Sequence, residues 1–278
     1  PYGYRTGYFG KLHFLPHANR DHRQPHPRYG FDECVVSDEP GVYEDAYRAW
    51  VRANYPDQLK HLSVGLPPAT DVWHKTLGID DGITHPGTGG RFDFAGAVPF
   101  PGADHVSHSA FVANQAQEFL RRQRADQPFL CVASFFAPHA PWVVPQKYLD
   151  MYDPDTLPLP DFPDTVEAQR VKTDLTDEQL RSARHGYYAM ITEIDDYVGQ
   201  LLDTLENQGM SENTLVIFTS DHGEWLGDHL KYGKGYPGDD AVSRVPLIVR
   251  PPQNANPVTG ECGALVEAVD IVPTILSY

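Results

Sequence analysis

An α/β domain with a mostly parallel central sheet flanked by helices is the architecture this sequence predicts. Three observations carry that expectation. Apolar runs of strand length occur at 129–136, 214–220 and 245–250, a long amphipathic helical pattern starting at Thr176 separates the first two, and polar clusters follow the strands directly. Strand, long helix and strand in that order suggest crossover units. In such sheets ligands collect at the carboxyl ends of the strands. No internal repeat of solenoid length interrupts this pattern.

The first segment, Gly3 to His13, reads Gly-Tyr-Arg-Thr-Gly-Tyr-Phe-Gly-Lys-Leu-His. Lys11 and His13 lie two residues apart and share one side of an extended chain, so a cation and a proton-transfer group can face one anionic substrate. A surface lysine and a hydrogen-bonded histidine are the plainer alternative. The segment is not a phosphate-binding P-loop, because Arg5 stands where its first glycine is required and Leu12 where serine or threonine is.

Residues 15–30 are rich in His, Arg and Pro, and 82–104 in Gly and Pro; both are longer than a simple connection. Within the first, Arg20, Arg23 and Arg28 are expected to contact further anionic groups or to be solvated, with Trp142, Trp225 and Tyr232 shaping the same pocket. Asp80-Asp81-Gly82 reads as a turn. Residues 109–124 form an amphipathic helix with Phe111, Ala116, Phe119 and Leu120 on one side. A buried strand at 129–136 then runs into Ala137-Pro138-His139-Ala140-Pro141, where a stiff loop holds an imidazole suited to protonating a leaving group or to a structural role.

Thr176 and Gln179 form a capping-box pattern. Leu180, Ala183, Tyr187, Ile191, Ile194, Val198, Leu201 and Leu205 recur at helical spacing to make one apolar face, and Gly209 ends the helix. The strand at 214–220 runs into Asp221-His222-Gly223-Glu224. Asp221 and His222 offer one hard oxygen and one imidazole nitrogen to a cation, which is half a site; the alternative is an aspartate capping the turn with the histidine packed on it. His229, seven residues on, is a further candidate ligand or a supporting group behind the ligands, with a structural role the plainer reading. Lys234 lies between Gly233 and Gly235, which permit close approach to a ligand or leave a flexible, solvated lysine.

Composition narrows the partners. With 22 Lys plus Arg against 38 Asp plus Glu, the formal net charge is −16, and no basic stripe exists to track a nucleic-acid backbone. No apolar run reaches the ~20 residues that span a bilayer, and the first ten residues lack a charged stretch followed by an apolar one. Cys34, Cys131 and Cys262 are too few and too scattered for a disulfide framework.

Taken together, these segments resemble the sulfatases of the alkaline-phosphatase superfamily. The 3–13 segment looks like the second sulfatase signature. The stretch 187–229, with Ile194-Asp195-Asp196 and Ser220-Asp221-His222-Gly223-Glu224, resembles the part carrying the second pair of sulfatase metal ligands. Lys234, then Arg244-Val245-Pro246-Leu247-Ile248-Val249 and Asp270-Ile271-Val272-Pro273-Thr274, continues the pattern.

The resemblance implies an alkaline-phosphatase-like fold and hydrolysis of a small-molecule or glycan sulfate ester. It implies Asp221 and His222 as ligands of a divalent cation, calcium first and manganese as the alternative because imidazole is softer than an amide oxygen. Lys11 and Lys234 would hold the sulfate oxygens, His139 would act as acid near the ester oxygen, and His13 would take a proton from a hydrated formylglycine. All six are expected at one edge of the sheet.

The nucleophile of such enzymes arises from a Cys-x-Pro-x-Arg motif through a formylglycine-generating enzyme. That motif does not occur in these residues. The expectation is that residues 1–278 are a partial sulfatase catalytic domain, lacking the upstream nucleophile segment and a C-terminal subdomain, and inactive by themselves. Two rivals stand beside this reading: a phosphonate monoester or phosphodiester hydrolase of the same fold, and a noncatalytic anion-binding member.

Overall fold

The computed structural model describes residues 3–15, 22–62, 96–124, 126–173, 175–235, 238–255 and 259–278. Arg20, the Asp80-Asp81-Gly82 turn and most of the 82–104 loop fall outside them. The strands are β1 (Arg5–Gly10), β2 (Glu33–Val36), β3 (Val98–Pro99), β4 (Phe129–Ser134), β5 (Val143–Val144), β6 (Val216–Thr219) and β7 (Leu247–Arg250). The α-helices are α1 (Ala46–Asn54), α2 (His108–Arg121), α3 (Gln146–Leu149), α4 (Asp164–Thr173), α5 (Asp177–Asn207), α6 (Asp240–Ser243) and α7 (Ile271–Ser277).

β1 is the middle of a three-stranded parallel sheet, order β2-β1-β4, with Gly10 paired to Val36 on one side and to Ser134 on the other. Parallel pairing puts the carboxyl ends of all three strands at one edge. Helix α2, capped by Ser107, whose side chain accepts the Ala110 N–H, lies against this sheet. Phe119 packs on Phe9 with ring centroids 5.4 Å apart, and both rings are buried. Truncating a ring so placed costs about 3–5 kcal/mol.

Helix α5 begins as expected. Thr176 Oγ1 accepts the Gln179 N–H at 3.1 Å, and Gln179 Oε1 accepts the Thr176 N–H at 2.9 Å. Its end is a Schellman motif, in which Gly209 at φ +68° donates to Glu206 O and Met210 N–H reaches Leu205 O. Most of the expected stripe is in place, Leu180, Ala183, Ile194 and Leu205 buried and Tyr187, Val198 and Leu201 partly so. Gly186, Met190, Glu193 and Tyr197 are on it, whereas Ile191 is 44% exposed. The stripe is wider than its apolar residues mark, because a glycine, a carboxylate and a tyrosine also occupy the contact with α2 and the His139 loop.

A second difference concerns the strands after α5. Their residues were expected to be buried, yet β6 and β7 pair antiparallel in a separate two-stranded sheet, Val216 opposite Arg250 and Thr219 opposite Leu247. Every residue of β7 is exposed, Ile248 by 62%. A continuous apolar run specifies a strand, but its neighbours follow from long-range pairing that the run does not encode. The α/β class with a parallel sheet flanked by helices stands.

Candidate active site

Lys11 follows β1 where the chain leaves the sheet. Gly10, at φ +106°, makes that exit possible, since a Cβ there would lie 2.0 Å from Ser134 O. Lys11 N–H donates to Ser134 O at 2.9 Å, Ser37 N–H to Gly10 O at 3.0 Å, and Leu12 N–H to Asp38 Oδ1 at 2.7 Å. The Tyr8 hydroxyl donates to Lys11 O. So held, Lys11 is 9% exposed, with Nζ 5.6 Å from the Phe136 ring centroid and 3.8 Å from Asp221 Oδ2.

The second contribution comes from the loop after β4. His139 N–H donates to Phe136 O at 3.1 Å, and the imidazole lies 4.8 Å from the Phe136 ring. Nδ1 is 2.6 Å from Ala140 O, which fixes the ring proton there and leaves the Nε2 lone pair facing the site. Burial pushes the His139 pKa down to about 4; the Ala140 contact opposes this, and the charges of Lys11, Lys234 and His222 reinforce it.

The third comes from the end of β6. Asp221 Oδ1 accepts the His222 N–H at 3.0 Å, and His222 Nδ1 is 2.7 Å from Gly223 O, which again leaves Nε2 as the acceptor. Lys234 Nζ then lies 2.9 Å from His222 Nε2 and 3.4 Å from His139 Nε2. Burial alone would raise the Asp221 pKa, but Lys11, His222 and Lys234 together outweigh it and hold the carboxyl below its ordinary value. The Lys234 pKa is lowered by burial and by Lys11, against the pull of Asp221, Glu224 and Glu39. His13 is lowered by burial and by the charges of Lys11 and Lys234.

Lys11, His139, Asp221, His222 and Lys234 are therefore contiguous, and His13 lies within their field. His229 sits exposed in the turn Asp228–Leu230. Trp142 and Trp225 differ from their expected place as pocket walls, being only 1% and 8% exposed. Trp142 fills the space left by Gly186 on α5, and Trp225 packs over Gly235 with Nε1–H donated to Asp239 Oδ2 at 2.8 Å. Tyr232 is half-buried, with its ring 6.0 Å from that of Trp142. Arg23 and Arg28 are exposed, and Arg28 Nη1 donates to Asp32 O at 3.0 Å.

Sequence reasoning passed over Asp38, which anchors Leu12, and assigned no role to Glu224. Glu224 Oε1 accepts N–H groups from Leu226 and from Gly233, the residue before Lys234. An acid directly after the Asp-His-Gly turn was the available signal for Glu224; Asp38 carried none.

The arrangement offers a tetrahedral anion two ammonium groups and two imidazoles. It does not by itself offer a metal site. Among the described residues no three His, Cys, Asp or Glu side chains are grouped to hold an ion, and ammonium groups already face both Asp221 and His222. Cys34 and Cys131 lie within β2 and β4, away from the strand ends, and burial raises both thiols, Cys131 to about 12.

Residues 2–278 match the Sulfatase family model. The chain belongs to the sulfatase family. It is 32% identical over 194 residues to the arylsulfatase of Clostridium perfringens, covering 65% of this chain and 40% of that one. It is 29% identical over 267 residues to the choline-sulfatase of Rhizobium meliloti, covering 90% of this chain and 46% of that one. The chain spans about half the length or less of these relatives. In three dimensions it resembles the phosphonate monoester hydrolase of Agrobacterium radiobacter, with a TM-score of 0.62, 27% identity, and coverage of 90% of this chain and 51% of that one. The phosphonate monoester hydrolase of Silicibacter pomeroyi gives 0.60 at 27% identity, covering 99% and 55%. Family and neighbours thus agree on an alkaline-phosphatase-like fold.

Proposed function

We propose that this chain carries the anion-binding and proton-transfer half of a sulfatase catalytic centre, acting on the sulfate ester of a small molecule or a glycan. The observation that supports it best is the convergence of Lys11 and Lys234 on Asp221, His222 and His139, with Lys11 Nζ 3.8 Å from Asp221 Oδ2 and Lys234 Nζ 2.9 Å and 3.4 Å from the Nε2 atoms of His222 and His139. Two ammonium groups suit the charge that a sulfuryl group spreads over its oxygens. His139 Nε2 beside Lys234 is placed to deliver a proton to the leaving oxygen once an anion offsets the lysine charges, and His13 to accept one on the opposite leg of the reaction.

The attacking group is expected to be a formylglycine from a Cys-x-Pro-x-Arg segment outside these 278 residues, made by a formylglycine-generating enzyme. Residues 1–278 are on this reading a partial catalytic domain. Asp221 and His222 would give two ligands to a calcium or manganese ion that needs further donors than the described residues offer.

The test pairs binding with turnover. The chain is expected to bind inorganic sulfate and 4-nitrophenyl sulfate without hydrolysing the ester, and Lys11→Ala or Lys234→Ala should each weaken binding about tenfold. A longer chain with the Cys-x-Pro-x-Arg segment, coexpressed with the formylglycine-generating enzyme, should turn over the ester and lose activity on His13→Ala. Metal-dependent multiple turnover by the 278 residues alone would refute this division of labour.

The likeness to two phosphonate monoester hydrolases supports a second reading, in which the same site takes a phosphonate or phosphate ester. Comparing kcat/KM for matched 4-nitrophenyl sulfate and phenylphosphonate esters in the longer chain separates the two. A noncatalytic anion binder would bind sulfate and turn over neither.

A further inference from the structure

Each lysine of the site has a carboxylate bound to the backbone beside it. Asp38, 1% exposed, accepts the N–H of Leu12, the residue between Lys11 and His13, at 2.7 Å. Glu224 accepts the N–H of Gly233, next to Lys234, and the N–H of Leu226 at 3.2 Å, all on Oε1. The lysines lie more than two hundred residues apart in sequence, yet the device is the same.

The backbone context explains why such an anchor matters. Strand pairing holds the first loop through Gly10 and the Lys11 N–H, and then β1 ends. The next N–H, that of Leu12, goes to Asp38, so this bond governs the direction in which Lys11 and His13 leave the sheet. In the second loop Gly233 is gripped at both of its polar groups, its N–H by Glu224 and its C=O by the Trp225 N–H at 3.2 Å. A lysine stem has several rotatable bonds, so its ammonium is placed only as well as its backbone is. Hydrogen bonds from N–H to a carboxylate are the stronger kind, more so away from water.

We propose that Asp38 and Glu224 are positioning residues, which through Leu12 and Gly233 set where Lys11, His13 and Lys234 present their charge to a sulfuryl or phosphoryl group. The proposal rests on the anion-binding reading of the two lysines given above.

The test uses the 278-residue chain with Asp38→Ala, Asp38→Asn, Glu224→Ala and Glu224→Gln, followed by amide hydrogen exchange and by calorimetric titration with inorganic sulfate. Each alanine variant should speed exchange at its own amide, Leu12 or Gly233, and not at the other, with sulfate affinity falling about tenfold. The Asn and Gln variants keep an acceptor oxygen and should stay within about threefold of the unsubstituted chain. Unchanged sulfate affinity in both alanine variants would overturn the proposal, as would unchanged exchange at both amides. Should an alanine variant not fold, Asp38→Glu and Glu224→Asp keep the charge but move the acceptor by one methylene, and unchanged affinity in both would overturn it equally. No sulfate binding by the unsubstituted chain would instead sink the anion-site reading; exchange at Leu12 and Gly233 would still decide whether the carboxylates hold the loops.

Discussion

Lys234 Nζ stands 2.9 Å from His222 Nε2, the nitrogen that His222 would offer to a metal. If His222 serves as a metal ligand, ammonium and cation would compete for one lone pair, and the occupant would set the charge of the site. Lys234→Met is expected to raise manganese affinity and lower sulfate affinity, each by about tenfold, since a unit charge at this range is worth about 1–4 kcal/mol. Titration calorimetry with each ion reads both effects. Changes in the same direction would show that the metal does not use His222.

His139 provides the pH signature. Its pKa, pushed by burial and by its cationic neighbours to about 4, keeps the ring neutral at pH 7. The folded state thus favours the neutral form; the stability tied to this ring is intact above the ordinary imidazole value of 6.5 and is lost as pH falls from there through about 4. Saturating sulfate should move the midpoint upward by offsetting Lys11 and Lys234. Ring chemical shifts followed by NMR with and without sulfate measure this, and a sulfate-free midpoint near 6.5 would contradict it.

Glu193 acts in the opposite sense. It is 2% exposed on α5, accepts from Ser107 Oγ at 2.7 Å and Ser109 Oγ at 3.1 Å, and borders a cavity of about 20 Å³ behind the His139 loop. Burial raises its carboxyl from 4.5 to about 7, with the two serine bonds opposing. Its contribution is fully present below about 4.5 and is lost as pH rises through about 7. Glu193→Gln should leave stability unchanged at pH 4 and raise it at pH 8 by on the order of 2–3 kcal/mol. Urea melts at both pH values test this; equal shifts at each would point to packing rather than ionisation.

Gly10→Ala should be more damaging than its size suggests. A methyl group 2.0 Å from Ser134 O must push β1 and β4 apart, at a positive φ that alanine resists. A loss of about 2 kcal/mol or more in stability is expected, with sulfate affinity falling further than in a distant destabilised variant. An unchanged melting temperature would mean that the strand ends yield freely.

Local chemistry was the most legible part of this fold. The Thr176–Gln179 box, the Gly209 end and the strand starting at Phe129 are written in neighbouring residues, and each stands where the sequence puts it, although the strand ends at Ser134 rather than at the expected Phe136. Pairings between distant residues were not legible. The antiparallel match of β6 with β7 and the addition of Met190 and Tyr197 to the buried side of α5 depend on partners scattered through the chain. For the site, strand-end position and family resemblance together brought out Lys11, His13, His139, Asp221, His222 and Lys234. Trp142 and Trp225 misled because an indole suits a pocket wall and a core equally. Asp38 stayed hidden because its partner is a backbone N–H, which leaves no mark in the identity of Leu12.

The groups proposed to bind the anion come from three stretches, near residues 11, 139 and 222–234, that meet only when the chain is fully folded. Sulfate bound at the proposed site would thus be a ligand of the native state alone, and by mass action it would raise the unfolding temperature, by an amount equivalent to ~2.7 kcal/mol at a hundredfold excess over Kd. Residual ammonium sulfate from a precipitation step would then become a hidden variable in every melting curve, and preparations that differ only in dialysis would rank the same variants differently.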